Sequence, residues 1–110
     1  MKTDLTYLRN MSSGSEDVIK EMVGIFVDQV KEISDGMHNA LNSKEWMTLS
    51  KLAHKAKSSV AVMGMNELAT NLKRLESIAA EGKDINEYPI IVEKFDDDCK
   101  FAIIELKEYR

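Results

Sequence analysis

The sequence predicts an all-α protein, an up-down-up-down four-helix bundle with a short additional N-terminal helix. Three observations carry that expectation. Helix breakers are scarce, with one proline and five glycines in 110 residues. Met, Leu, Glu, Lys and Ala, all good helix formers, are plentiful. The Val and Ile residues recur at three- and four-residue spacing rather than in alternation, which is the helical period and not the strand period.

The elements follow in order. Leu5, Leu8 and Met11, with Tyr7, suggest a short amphipathic helix from about Asp4 to Asn10. Ser12 to Ser15 break it, and Ser13 followed by Glu16 forms a capping-box pattern. A second helix runs from about Glu16 to Leu41. Its core stripe is read as Val18, Met22, Ile25, Phe26, Val30, Ile33, Met37 and Leu41, with Ile19, Val23 and Val27 widening it toward a second face. Asn42 to Glu45 is a polar connection. The third helix spans roughly Glu45 to Met63, and Gly64 is placed to end it in a left-handed conformation. Asn66 can cap the fourth helix, whose stripe is Leu68, Leu72, Leu75, Ile78 and Ala79 and which Gly82 ends. Pro89 fits the first turn of a fifth helix with Val92, Phe95, Cys99, Ala102, Ile103, Leu106 and Tyr109 on its core side.

The length corresponds to one domain over residues 1–110, large enough to bury a core without metal or disulfide. The single cysteine, Cys99, excludes an internal disulfide and fits a reducing compartment. Charged residues throughout the first twenty positions argue against a secretory leader, and no apolar run is long enough to span a bilayer. A net charge of −4 argues against nucleic acid as a partner. A cytoplasmic protein with no membrane attachment is expected.

One residue departs from the core patterning. On the third helix Leu49, Leu52, Ala53, Ala56, Val60 and Met63 make the buried stripe. At ~100° per residue, His54 points roughly 140° away from the centre of that stripe. Ser50 and Ser58 lie one turn to either side, Ala61 a turn further, and Lys57 stands three residues on. Lys51, Lys55 and Lys57 form a basic patch in an otherwise acidic chain. A neutral imidazole, whose ordinary pKa is ~6.5, is a competent nucleophile near neutrality, and a lysine one turn away can reach an anion attached to it. His38 lacks such surroundings and reads as a surface side chain, and Asp96 to Asp98 read as a solvated acidic face. G-x-S-x-G, Walker, Rossmann and H-E-x-x-H motifs are missing, and one cysteine with two scattered histidines makes no zinc site.

The segment LAHKAKSSVAVMGMNELATNLKRLE, Leu52 to Glu76, resembles the signature of histidine phosphotransfer (HPt) domains, roughly A-H-x-L-K-G-S-S-x-x-x-G followed by a leucine-bearing helix ending in L-E or I-Q. Ala53, His54, Lys57, Ser59, Gly64, Leu68, Leu75 and Glu76 fall in register. DLTYLRNMSSGSED (Asp4 to Asp17), FVDQVKEI (Phe26 to Ile33) and the KEW before the third helix extend the likeness to the whole chain. The resemblance implies that His54 is the phospho-acceptor, that Lys57 offsets the phosphoryl charge, and that Glu76 orients the histidine through its other nitrogen. A surface carboxylate is the competing reading of Glu76. The family's glycine after the lysine is Ser58 here, and its leucine two after the histidine is Ala56.

On the same resemblance the chain is a phosphorelay carrier and not an enzyme. It would take a phosphoryl group from a receiver domain of a hybrid sensor histidine kinase and pass it to the receiver of a response regulator. It needs no cofactor of its own, since Mg²⁺ belongs to the partner receiver. The family suggests a monomer, and the initiating Met1 with a complete bundle leads to the expectation of a free-standing chain. Ser50, Ser58 and Ala61, with Leu8, Met11, Ile19 and Val23, are the candidate docking residues. Two other readings stay open at this level, a degenerate module that docks receivers without chemistry and a structural bundle with an incidental histidine.

Overall fold

The computed structural model describes residues 2–109. Five α-helices make up most of them: α1 Thr6–Met11, α2 Glu16–Ser43, α3 Trp46–Val62, α4 Asn66–Glu81 and α5 Tyr88–Glu105. Single 3₁₀ turns at Ile85–Glu87 and Lys107–Tyr109 precede and follow α5. The 28 residues of α2 would extend ~42 Å at 1.5 Å per residue, which is the 42 Å long dimension of the molecule. Helices α2 to α5 form the four-helix bundle, with α3 and α4 packed most extensively against each other. Among the described residues there is no strand, and no helix is long and apolar enough to cross a membrane.

The helix ends show local causes. Ser13 and Gly14 reverse the chain with φ of 55° and 77°, and the Ser15 hydroxyl then accepts from the Val18 amide at 3.4 Å. The cap of α2 is therefore Ser15, not the Ser13 of the expected capping box, because Ser13 is spent on the turn. Asn66 is the first helical residue of α4 and makes no side-chain cap. Gly64 and Gly82 take the left-handed conformation, at φ of 72° and 66°. At Gly64 glycine is also required by space. A Cβ there would run into the Asp4 carbonyl oxygen, where the N-terminal segment crosses the α3–α4 turn and the Asp4 amide donates to the Met63 carbonyl at 2.9 Å.

The inward face of α2 matches the expected stripe at Phe26, Val30, Ile33 and Met37 but differs from it in the first three turns. Ile19, Val23, Phe26, Val30, Ile33, Met37 and Ala40 are its buried residues, and Val18 and Ile25 are exposed. Those seven positions alternate by four and three, the heptad seam that keeps one face on a bundle core. The rival line through Val18, Met22 and Ile25 continues into Gln29, Glu32 and Gly36, so it cannot be buried along its length. It turns instead toward α3, where the Ser59 hydroxyl donates to the Gln29 side chain at 2.8 Å. Leu8 of α1 is wholly buried and closes one end of the core. Tyr88 anchors α5, donating its hydroxyl to the Ile78 carbonyl at 2.9 Å and packing edge-on against Trp46 with ring centres 5.1 Å apart.

Candidate functional site

His54 sits midway along α3 with its side chain 63% exposed, on the outer side of the helix as its offset from the stripe requires. Its Nδ1 lies 2.9 Å from Oε2 of Glu76, and the Lys57 ammonium donates to the other oxygen, Oε1, at 2.9 Å. One carboxylate on α4 thus holds the histidine and the lysine of α3 together. The Glu76 backbone is fixed as well, because the Ser50 hydroxyl donates to its carbonyl at 2.8 Å. The hydrogen bond from Lys57 is the largest influence on the Glu76 carboxyl; burial opposes it, the bond from His54 adds to it, and the net effect holds the group below its ordinary 4.5.

The tautomer follows from this geometry. An ionised carboxylate can only accept, so the Nδ1 facing it carries the proton and donates. The lone pair of the neutral ring then resides on Nε2, away from Glu76 and on the solvent side. A fixed carboxylate behind an imidazole also stabilises the positive charge that develops on the ring when Nε2 bonds an electrophile. The arrangement is that of an oriented nitrogen nucleophile with an ammonium beside it.

The structure separates the candidate docking residues into two groups. Ser58 and Ala61 are exposed on the His54 side of α3, and Met11 is exposed on α1. Leu8, Ile19 and Val23 are fully buried and offer no surface, because Leu8 closes the end of the core from α1 and the other two lie on the α2 seam that faces it. Ser50 is buried too, its hydroxyl committed to the Glu76 carbonyl. Val18 and Ile25 take the place of Ile19 and Val23 as exposed apolar side chains of α2. Tyr7 and Asn10 of α1 and Ala61 and Val62 of α3 border an open groove of about 580 Å³ next to the exposed face of α3.

The second histidine has a partner the sequence did not reveal. His38 Nε2 lies 2.6 Å from Oδ2 of Asp96 on α5, and the Ser34 hydroxyl donates to Oδ1 at 2.6 Å. Asp98 is buried between the ammonium groups of Lys2 and Lys94, at 3.2 and 3.1 Å. Of the acidic run only Asp97 is the solvated residue expected there. His38 meets Asp96 at the exposed surface between α2 and α5, and among the described residues no lysine shares that carboxylate as Lys57 shares Glu76.

A family model described as Hpt domain matches residues 21–107. The chain belongs to the Hpt domain family. The crystal structure of histidine-containing phosphotransfer protein B (HptB) from Pseudomonas aeruginosa PAO1 superposes with a TM-score of 0.88 at 25% sequence identity, covering 97% of this chain and 92% of that one. No curated protein sequence matches the chain. Hpt domains are phosphocarriers of two-component phosphorelays, and membership gives this Hpt chain a histidine phosphotransfer role with receiver domains as the class of partner. The family match begins within α2, so α1 lies outside it, whereas the likeness to HptB extends over nearly the whole chain.

Proposed function

We propose that His54 accepts a phosphoryl group from the phospho-aspartate of a hybrid-kinase receiver domain and passes it to the receiver of a response regulator. The observation that carries this reading is the shared carboxylate: Glu76 bonds His54 Nδ1 and Lys57 Nζ at 2.9 Å each, leaving Nε2 free. In the accepting step the Nε2 lone pair attacks phosphorus in line. An N–P bond forms, the acyl P–O bond breaks, and the aspartate leaves as a carboxylate with the electron pair. The Nδ1 proton stays on the ring against Glu76 throughout. The forward transfer is the reverse of this step on a second receiver. Positioning and charge neutralisation supply the chain's share of catalysis.

Lys57 is placed to move its ammonium from Glu76 toward the phosphoryl oxygens, a charge-assisted contact. The receiver contributes the acidic pocket and its Mg²⁺, so the chain itself needs no metal or nucleotide. Docking uses the exposed side of α3 around Ser58 and Ala61 together with Met11, Val18 and Ile25. The basic residues Lys51, Lys55 and Lys57 favour the approach of an acidic partner face to a chain of net charge −4. The reading is of a monomeric, one-domain cytoplasmic carrier without an enzymatic activity of its own. Incubating the protein with each receiver domain of its source organism, charged with acetyl phosphate, tests it. Rapid label transfer from a subset of receivers is expected, and transfer from none of them contradicts the reading.

A further inference from the structure

Ser58 occupies the position one helical turn beyond His54, on the same exposed face of α3. Side chains at this spacing have Cβ atoms ~5–6 Å apart. Its neighbour Ser59 is engaged, donating at 2.8 Å to Gln29 and folding back toward the Lys55 carbonyl at 3.4 Å. The hydrogen bonds of the described residues include none from the Ser58 hydroxyl, which stands in solvent with its donor unspent. Glu76 of α4 engages His54 Nδ1, and Lys57 of α3 is tied to the same carboxylate. Nε2 is left without a partner among the described residues, and Ser58 is the exposed hydroxyl one turn along the helix from it.

We propose that Ser58 is a phosphoryl-holding residue: when Nε2 of His54 carries the phosphoryl group, the Ser58 hydroxyl donates a hydrogen bond to one of its oxygens, opposite Lys57. The role rests on the phosphocarrier reading of His54 and adds a second ligand to the product of that reaction. A phosphorylated imidazole is longer than the free ring by the N–P bond and the phosphoryl oxygens. It therefore spans more of the gap to the i+4 side chain than the free ring does. A hydroxyl donating to an anion stabilises the charged state more than it stabilises the same site without the anion. The consequence is thermodynamic. Ser58 holds the phosphoryl group on His54 in preference to the receiver aspartate.

An equilibrium measurement isolates this role from docking. The phosphoryl group moves reversibly between His54 and an aspartate, with an N–P bond exchanged for an acyl O–P bond and nothing else consumed. At concentrations low enough that the proteins are free, the distribution depends only on the two phosphorylated species. Changes at the docking surface alter how fast it is reached and not where it lies. The probe is one receiver domain that exchanges label with the wild-type protein, equilibrated with it and with the Ser58→Ala and Ser58→Thr variants at two concentrations.

Loss of the hydroxyl in Ser58→Ala is expected to shift the distribution about three- to tenfold toward the receiver, and Ser58→Thr, which keeps the hydroxyl, to restore the wild-type ratio. An unchanged ratio in Ser58→Ala overturns the proposal while leaving His54 as phospho-acceptor. Equal shifts in Ser58→Ala and Ser58→Thr also overturn it, since they assign the effect to shape and not to the hydroxyl. A wild-type protein that takes no label from any receiver removes the underlying reading itself, and this inference with it.

Discussion

Glu76 lies 2.9 Å from His54 through one carboxylate oxygen, and this single contact leaves Nε2 as the imidazole nitrogen without a partner among the described residues. The two residues sit on different helices, 22 positions apart in the chain. The α3–α4 hairpin is thus the smallest unit that contains the site. Its register is held at the same level by Ser50, whose hydroxyl bonds the Glu76 carbonyl.

The contact sets a first expectation. Glu76→Ala removes the acceptor of the Nδ1 proton and the anchor of Lys57 together. Transfer from a charged receiver should slow on the order of ten- to a hundredfold, as metal sites do when the partner orienting a ligand histidine is lost. Glu76→Gln keeps an oxygen that can accept from Nδ1 but loses the charge and the Lys57 anchor, and should give a rate between those of Glu76→Ala and wild type. Single-turnover kinetics of the two variants, with thermal melts to show that both are folded, make the comparison. Equal rates for Glu76→Ala and wild type contradict the orienting role.

The docking face gives a second expectation. Ile25 is 44% exposed and Ile19 is 0% exposed, although the two lie in the same helix and have the same side chain. Ile25→Asp should change stability by no more than about 0.5 kcal/mol, as surface substitutions do, and weaken receiver binding. Ile19→Asp places an unpaired charge in the core and should unfold the protein. Receiver titration and denaturant melts on both variants read the two effects separately. Undiminished receiver affinity in Ile25→Asp removes this part of α2 from the interface.

These two isoleucines also show how far the sequence could be read. Every core helix was visible in it, because each carries one apolar stripe at helical spacing. The facing of α2 was not, because its apolar residues in the first three turns fit two adjacent stripes equally well. Only the continuation decides between them: the seam from Ile19 stays apolar to Ala40, whereas the line from Val18 becomes polar at Gln29. A heptad count along the whole helix would have found the buried face. His54 and Lys57 stood out by spacing and Glu76 only through the family resemblance, but the sharing of the Glu76 carboxylate by the other two was not legible. Contacts between helices depend on register across a turn, here the glycine turn at Gly64, which no pattern within a single helix specifies. The pairing of His38 with Asp96, 58 residues away, was hidden for the same reason.

Two glycines in the same chain should respond in opposite directions. Gly64→Ala drives a methyl group into the Asp4 carbonyl oxygen at a φ of 72°, and should lower stability by about 1–3 kcal/mol as the N-terminal segment is displaced. Gly24 lies inside α2, where a Cβ would meet nothing within 4 Å, and Gly24→Ala should raise stability by about 0.5–1 kcal/mol. Urea unfolding of both variants supplies the test, and a neutral Gly64→Ala would show that the segment does not pack on the turn.

Acid should loosen the N-terminal segment. Burial pushes the Glu105 carboxyl up, but the amides of Lys2 and Thr3 and the Thr3 hydroxyl outweigh it and hold the group below its ordinary 4.5. A carboxyl depressed in the folded state adds stability that is present in full above 4.5 and is lost as pH falls through the folded value. Wild type should therefore lose stability below about pH 4.5 more steeply than Glu105→Gln, which lacks the titrating group. Melting temperatures from pH 7 to pH 3 compare them. Parallel profiles would show that the Glu105 contacts contribute nothing to the acid response.

The central claim is that Nε2 of His54 carries the phosphoryl group, and the most direct measurement is to locate that group. The protein is charged by a phosphorylated receiver, digested at neutral to alkaline pH where phosphohistidine survives, and mapped by mass spectrometry. The account predicts one acid-labile phosphoryl group on His54 and no label in His54→Gln, with His38 unmodified in both. Undiminished labelling of His54→Gln, or a phosphoryl group found on His38, would contradict it.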